Sequence, residues 1–169
     1  MRNLKQFVLL LAISLVTFTS CSKDDDDSSS NGGDEFITAK IDGADYAASQ
    51  DPATIIGATI LNGILAVQGG DNSGNTISFQ VQNYTGVGIY NTGDSITNTS
   101  QIMYLTVSPV ATWASSLASA ALGTLPAGTI EVTAEDGTTV EGTFSFEGYN
   151  ASDMTTKNIT QGKFKAVLQ

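Results

Sequence analysis

The chain predicts an all-β fold, a single antiparallel β-sandwich or flattened barrel built from a hairpin meander of about eight strands. Three observations carry that expectation. Beyond residue 34, apolar residues alternate with polar ones at the two-residue period of a half-buried strand. Asp42-Gly43 and Asn62-Gly63 interrupt such runs, and both are dipeptides that two-residue type I′ hairpins select. The segments between runs are too short for the helical crossovers of a parallel sheet.

Each element follows from the register its turn imposes. In FITAKIDGADYAAS a turn at Asp42 and Gly43 sets Ile41 against Ala44, Ala39 against Tyr46 and Ile37 against Ala48, with Lys40 meeting Asp45 on the other face. In ATIIGATILNGILAVQGG the Asn62-Gly63 turn sets Ile60 against Leu65, Ala58 against Val67 and Leu61 against Ile64. TISFQVQ then alternates, Ile77, Phe79 and Val81 facing one way and Ser78, Gln80 and Gln82 the other. NYTGVGIYNTGDSITNTS is irregular, with room for one short strand; its Gly86 and Gly88 lack the third glycine and the following helix of a phosphate loop, so turn or strand-edge geometry accounts for them. IMYLTV, residues 102–107, is apolar on both faces and reads as a more buried strand. ATWASSLASAAL, residues 111–122, has Trp113, Leu117 and Ala121 at four-residue spacing and predicts one short helix, a loop being the alternative. Trp113, the sole tryptophan, reads as core or rim packing rather than as a sugar-stacking platform.

The last hairpin, TIEVTAEDGTTVEGTFSFEGY, decides whether an acid pair exists. A three-residue loop at 135–137 would place Glu131 opposite Glu141 at about 5 Å, the separation of the two carboxylates in retaining glycosidases. A five-residue loop at 135–139 instead sets Ile130 against Phe144, Ala134 against Val140, Glu131 against Thr143 and Thr133 against Glu141. The second register avoids the like-charge contact and gains an aromatic to β-branched pair, so it is preferred. No catalytic site is therefore expected.

Composition narrows the function classes further. With 169 residues and 41% hydrophobic content the chain has room for one domain. It carries 17 acidic and 7 basic residues, net −10, which disfavours nucleic acid and bare anionic lipid as partners. There is no histidine and one cysteine, so the usual proton shuttle, the commonest metal ligand, an intramolecular disulfide and a thiolate cluster are all missing. No cofactor or metal is expected.

The N-terminal residues specify an address. Arg2 and Lys5 give a positive start, Phe7 to Val16 give an apolar core too short to span a bilayer, and small polar residues lead to Cys21. Phe18, Thr19, Ser20 and Cys21 resemble a bacterial lipobox, in which diacylglycerol alkylates the thiol, the signal is cut before the cysteine and the new amine is acylated. The resemblance implies a lipoprotein signal peptide at 1–20 and lipid attachment at Cys21, through which the protein would meet the membrane; several acyl chains hold far more firmly than one. Ser22, Lys23, Asp24, Asp25, Asp26 and Asp27 resemble the signal that routes lipoproteins of Bacteroidota to the outer face of the outer membrane. Residues 21–34 then read as lipidated cysteine plus acidic, Ser- and Gly-rich tether, and 35–169 as the β-domain. Calcium binding by Asp24 to Asp27 is disfavoured, because no glycine-containing loop turns their oxygens onto one ion.

GTFSFEG at 142–148 and ITQGKF at 159–164, preceded by TAKIDG at 38–43, resemble an uncharacterised family of small lipoproteins of Bacteroidota, over residues 35–169. An alanine-rich stretch at 111–127 departs from the family pattern. The resemblance implies the fold and brings no assigned activity. Asp94-Ser95-Ile96 resembles the short O-glycosylation pattern of the same bacteria, with Ser95 as acceptor. The expectation is a lipid-anchored outer-membrane protein, facing the cell exterior, whose non-catalytic β-domain binds a glycan, peptide or envelope protein. A purely structural or adhesive envelope component is the second reading, and a carboxylate hydrolase the third.

Overall fold

The turns form where the sequence offers them. A computed structural model describes residues 35–51 and 56–169; the readings at 1–20, at Cys21 and at Ser22 to Asp27 lie outside these residues. Asp42 and Gly43 take φ of 50° and 87°, and Asn62 and Gly63 take 52° and 73°, the left-handed pair that a type I′ turn requires. The first turn joins β1 (Phe36–Ile41) to β2 (Ala44–Ala47). As expected, Ile41 lies opposite Ala44, Ala39 opposite Tyr46 and Lys40 opposite Asp45. The Ala48 amide extends this pairing by donating to the Ile37 carbonyl. The second turn joins β3 (Gly57–Leu61) to β4 (Ile64–Gly70) in the expected register, and β5 (Thr76–Gln82) follows with Val67 opposite Phe79.

The remaining elements are β6 (Gly88–Thr92), β7 (Gln101–Val107), β8 (Val110–Ser115), α1 (Leu117–Ala120), β9 (Gly128–Glu135), β10 (Thr139–Asn150) and β11 (Thr155–Val167). Among the described residues eleven strands thus form, where the alternation implied about eight. All pairings between them are antiparallel, in the order β2-β1-β11-β10-β8-β7-β5-β4-β3, with β9 beside β10 and β6 beyond it. The sheet forks at β10: its first half pairs β9, while Tyr149 pairs Ala114 of β8. One sheet curls into a half-barrel, closer to the flattened barrel than to the sandwich. The curl brings β3 against the C-terminus, where Ala58 and Leu168 form a parallel bridge and the Gln169 amide donates to the Ala58 carbonyl at 2.9 Å. A bulge at Gln161, with φ of 53°, bends β11 against both of its neighbours.

The helix is shorter than expected, and Trp113 is not on it. Residues 110–115 pair with β7 instead, Tyr104 opposite Trp113 and Met103 opposite Ala114. The four-residue spacing is no shared face, because Trp113 is 8% exposed and Leu117 44%. Ser116 caps the short helix, its hydroxyl accepting from Ala118 N while Ser119 Oγ accepts from Ser116 N. Strand pairing prevails because β-branched and aromatic side chains at Val110, Thr112 and Trp113 fit a pleated sheet. IMYLTV also differs from expectation: Ile102 and Tyr104 are buried, whereas Met103 and Leu105 are half-buried on the outer face.

The concave side holds the core. Phe79, Phe144 and Phe164 meet at centroid distances of 5.0 to 6.5 Å, and Tyr104 stacks on Trp113 and meets Tyr46 edge-on, 6.0 Å from each. At one mouth Lys157 closes this cluster, its ammonium 4.9 Å from the Trp113 ring and 2.9 Å from Asp42 Oδ2. Asp42 also receives the Asn158 amide at 2.8 Å and donates its own amide to Asn158 O at 2.9 Å. The Asn158 bond first, and then Lys157, hold its carboxyl below the ordinary value of 3.8. A lowered folded-state pKa gives stability that is complete above the unfolded value and lost as pH falls through the folded one. Asp42→Asn is therefore expected to unfold at lower urea than the wild type at pH 7, with the gap closing below pH 3.8. With the carboxylate 49% exposed, the effect is about 1 kcal/mol or less.

Candidate functional site

Glu131 and Glu141 do not face each other. Glu131 lies opposite Thr143 and Ile130 opposite Phe144, as the five-residue loop requires. Nearer the turn the register departs from expectation: Val140 meets Glu135 rather than Ala134, and Glu141 meets Ala134 rather than Thr133. The extra residue is Thr133, whose hydroxyl donates to the Glu141 carbonyl at 3.2 Å. Asp136 closes the turn by accepting from the Thr138 hydroxyl at 2.7 Å and from the Thr139 and Thr138 amides at 2.7 and 2.9 Å, which in that order hold its carboxyl well below the usual range. Both glutamates stand exposed on the outer face, and Glu141 is opposite Lys165 across β10 and β11. No group of three or more acidic, cysteine or histidine side chains able to hold a metal occurs among the described residues.

Ser95 heads the turn after β6, where the Asn98 amide returns to the Ser95 carbonyl at 3.2 Å. Its hydroxyl is 2.9 Å from that of Thr97. Ile96 beside it is 64% exposed, which puts the tripeptide on the surface. Gly86 is a turn residue with φ of 107° and Gly88 opens β6, so both serve geometry. Trp113 packs in the core as expected, with Nε1 donating to Thr155 Oγ1 at 2.9 Å.

What the residue-by-residue reading missed is a distribution of charge. Between Asp51 and Glu131 the only charged residues are Asp71 and Asp94, and both lie outside strands, Asp71 between β4 and β5 and Asp94 after β6. The outer face of β3, β4, β5, β7 and β8 consequently bears no charged side chain, in a chain of net −10. Alternation turns alternate residues outward, and pairing aligns them into rows. One row runs Gly57, Gln68, Ser78, Met103, Ala114 and Tyr149; the next runs Thr59, Ala66, Gln80 and Gln101. Small residues leave two clefts along it. The first, ≈ 270 Å³, lies over β3, β4, β5 and β7 beside Gln68, Gln80 and Gln101; the second, ≈ 390 Å³, lies between Ala114 and Tyr149. A count of charges along the sequence would have shown the uncharged block, but only the register shows that it forms one face.

A third hollow, ≈ 520 Å³, opens beside Tyr46, Tyr104, Asp71 and Lys157. The polar groups of Tyr46, Asp71 and Lys157 are occupied by the fold. Tyr46 Oη donates to Gly69 O at 2.7 Å and accepts from the Ile77 amide; Asp71 accepts from Ser73 N, Asn75 N and Asn75 Nδ2; Lys157 holds Asp42. Burial raises the Tyr46 and Tyr104 hydroxyls above the usual tyrosine range, so both stay protonated at neutral pH.

The two motif strands explain their own glycines. Gly142 lies opposite Phe164 and Phe144 opposite Gly162, so each ring lies over the other strand's glycine. A Cβ on Gly142 would strike the Glu131 carbonyl and the Phe164 ring, and one on Gly162 would strike Phe144. Gly148 is likewise in contact with Trp113. GTFSF and ITQGKF are thus a packing pattern, in which rings occupy the space that absent side chains leave. Residues 34–168 match the family described as Domain of unknown function (DUF6252). The chain belongs to that family. No curated protein and no solved structure matches it. The match spans 111–127, and the start of that alanine-rich stretch is β8, hydrogen-bonded between β7 and β10 of the DUF6252 sheet.

Proposed function

We propose that this protein is a lipid-anchored component of the bacterial cell envelope whose DUF6252 domain binds an uncharged ligand without transforming it. Cys21 would carry the lipid, and Ser22 to Asp27 would route the protein to the outer membrane with the domain facing outward. One observation carries the binding assignment: a contiguous outer face of five strands is free of charged side chains while the chain as a whole is strongly acidic. A face turned only to water gains from charges of mixed sign, which keep it solvated and discourage association. Ser95 would carry a glycan on the exposed turn after β6, outside the strands themselves.

Two methionines lie beyond the signal peptide and give an internal comparison. Met103 is at the centre of the uncharged face, half-buried, while Met154 is 78% exposed in the turn between β10 and β11. Thioether oxidation follows exposure. When whole cells and the purified protein are treated with dilute peroxide, Met103 is expected to oxidise more slowly in cells and Met154 equally in both. Equal rates for Met103 would overturn the assignment of this face.

A further inference from the structure

We infer that the ligand of the uncharged face is a neutral polysaccharide; this rests on the reading of that face as the binding surface. Charge removes the first alternatives. A polyanion would approach against a net charge of −10, and a polycation would find no acidic side chain on β3, β4, β5, β7 or β8, the nearest being Glu147 beside Tyr149 at the end of the row. A protein partner is poorly served as well, because interface cores favour aromatic, methionine and arginine side chains, and here Met103 stands between the small side chains of Ser78 and Ala114.

The side chains present are those that match hydroxyls. A carboxamide offers two N–H donors and an acceptor oxygen, while each sugar hydroxyl donates once and accepts twice. Gln80 and Gln101 are cross-strand neighbours, so two carboxamides project side by side at about 5 Å, and in the adjoining row Gln68 with Ser78 sets a carboxamide beside a hydroxyl. Gly57, Ala66 and Ala114 set the floor of the clefts low enough for a chain to lie against the sheet. Tyr149, half-buried at the end of the row, presents a ring to the apolar face of a sugar. From β3 to β10 the row crosses six strands, about 24 Å at the usual strand spacing. That is the reach of several linked sugars rather than one.

The full-length lipidated protein in detergent micelles would be oxidised with dilute peroxide in the presence of mannan, xyloglucan or dextran, with the polyanion alginate for comparison. At least one neutral polymer is expected to slow Met103 oxidation by about threefold or more and to leave Met154 unchanged, with no effect of alginate. The double variant Gln80→Ala, Gln101→Ala, which removes both carboxamides without opposing like charges across the strands, should lose that protection while keeping a urea midpoint close to wild type. Protection by alginate alone, or by none of the polymers, overturns the polysaccharide assignment, and Met103 protection in whole cells would then leave the surface assignment standing. Protection by a neutral polymer that survives in the double variant overturns the placement on this face.

Discussion

Phe164→Ala is expected to remove about 3–5 kcal/mol of folding stability, the range for deleting a fully buried ring. Phe164 is 0% exposed, and its ring meets Phe79 edge-on at 5.0 Å while covering Gly142 on the neighbouring strand. Truncation empties a space that the paired strand cannot fill, since the residue opposite is itself a glycine. Domains of this size are stable by only about 5–15 kcal/mol, so one ring holds a large share. The reciprocal change, Gly142→Ala, should also destabilise, by about 1–3 kcal/mol or more, because the added methyl meets the Glu131 carbonyl and backbone must move. Thr143→Ala, between the two positions but on the outer face, should stay within about 0.5 kcal/mol of wild type. Urea unfolding followed by the fluorescence of Trp113, the sole tryptophan, measures all three. A loss below about 1 kcal/mol for Phe164→Ala would show that the Phe–Gly pairing is not what the motif provides.

Cys21→Ala is expected to abolish incorporation of labelled palmitate and to leave the signal peptide uncut. The change removes the only thiol of the chain, and the acyl chains it would carry contribute about 0.8 kcal/mol for each methylene buried in lipid. The variant should appear in the soluble or unprocessed fraction, with the fold unaltered. Labelling equal to wild type would sink the anchor. Replacing Asp24 to Asp27 with alanine separates the address from the anchor: palmitate labelling should persist, while protease access on whole cells should fall. Equal access before and after would reduce the acidic run to a spacer.

Much of the sheet was legible because the information is local. Asp42-Gly43 and Asn62-Gly63 dictate left-handed turns, and a two-residue turn fixes every pair up both strands, so Ile41 with Ala44 and Ala58 with Val67 follow from arithmetic. The last hairpin was half legible. Ile130 with Phe144 was set by the hydrophobic pattern, but a bulge at Thr133 stores one residue without changing which face is apolar, and alternation alone does not reveal it. The failure at 111–122 has the same root. Trp113 and Leu117 fit a helical period, and what makes 110–115 a strand is β7 waiting to pair with it, a partner that no local window contains.

The functional surface divides in the same way. By itself the sequence determined the strand-by-strand turns, the absence of histidine, the lone cysteine with its lipobox-like surroundings, and the block of residues in which Asp71 and Asp94 are the only charges. Only the tertiary structure decided that Gln68, Ser78, Met103, Ala114 and Tyr149, spread over 82 positions of sequence, stand in one row. It also decided that Gly142 and Gly162 are glycines because rings from the adjoining strand occupy their space. The physical reason is that turn geometry and residue chemistry act over a few bonds, whereas rows, clefts and ring-over-glycine contacts arise across strands, where hydrogen-bond register rather than chain distance sets the neighbours.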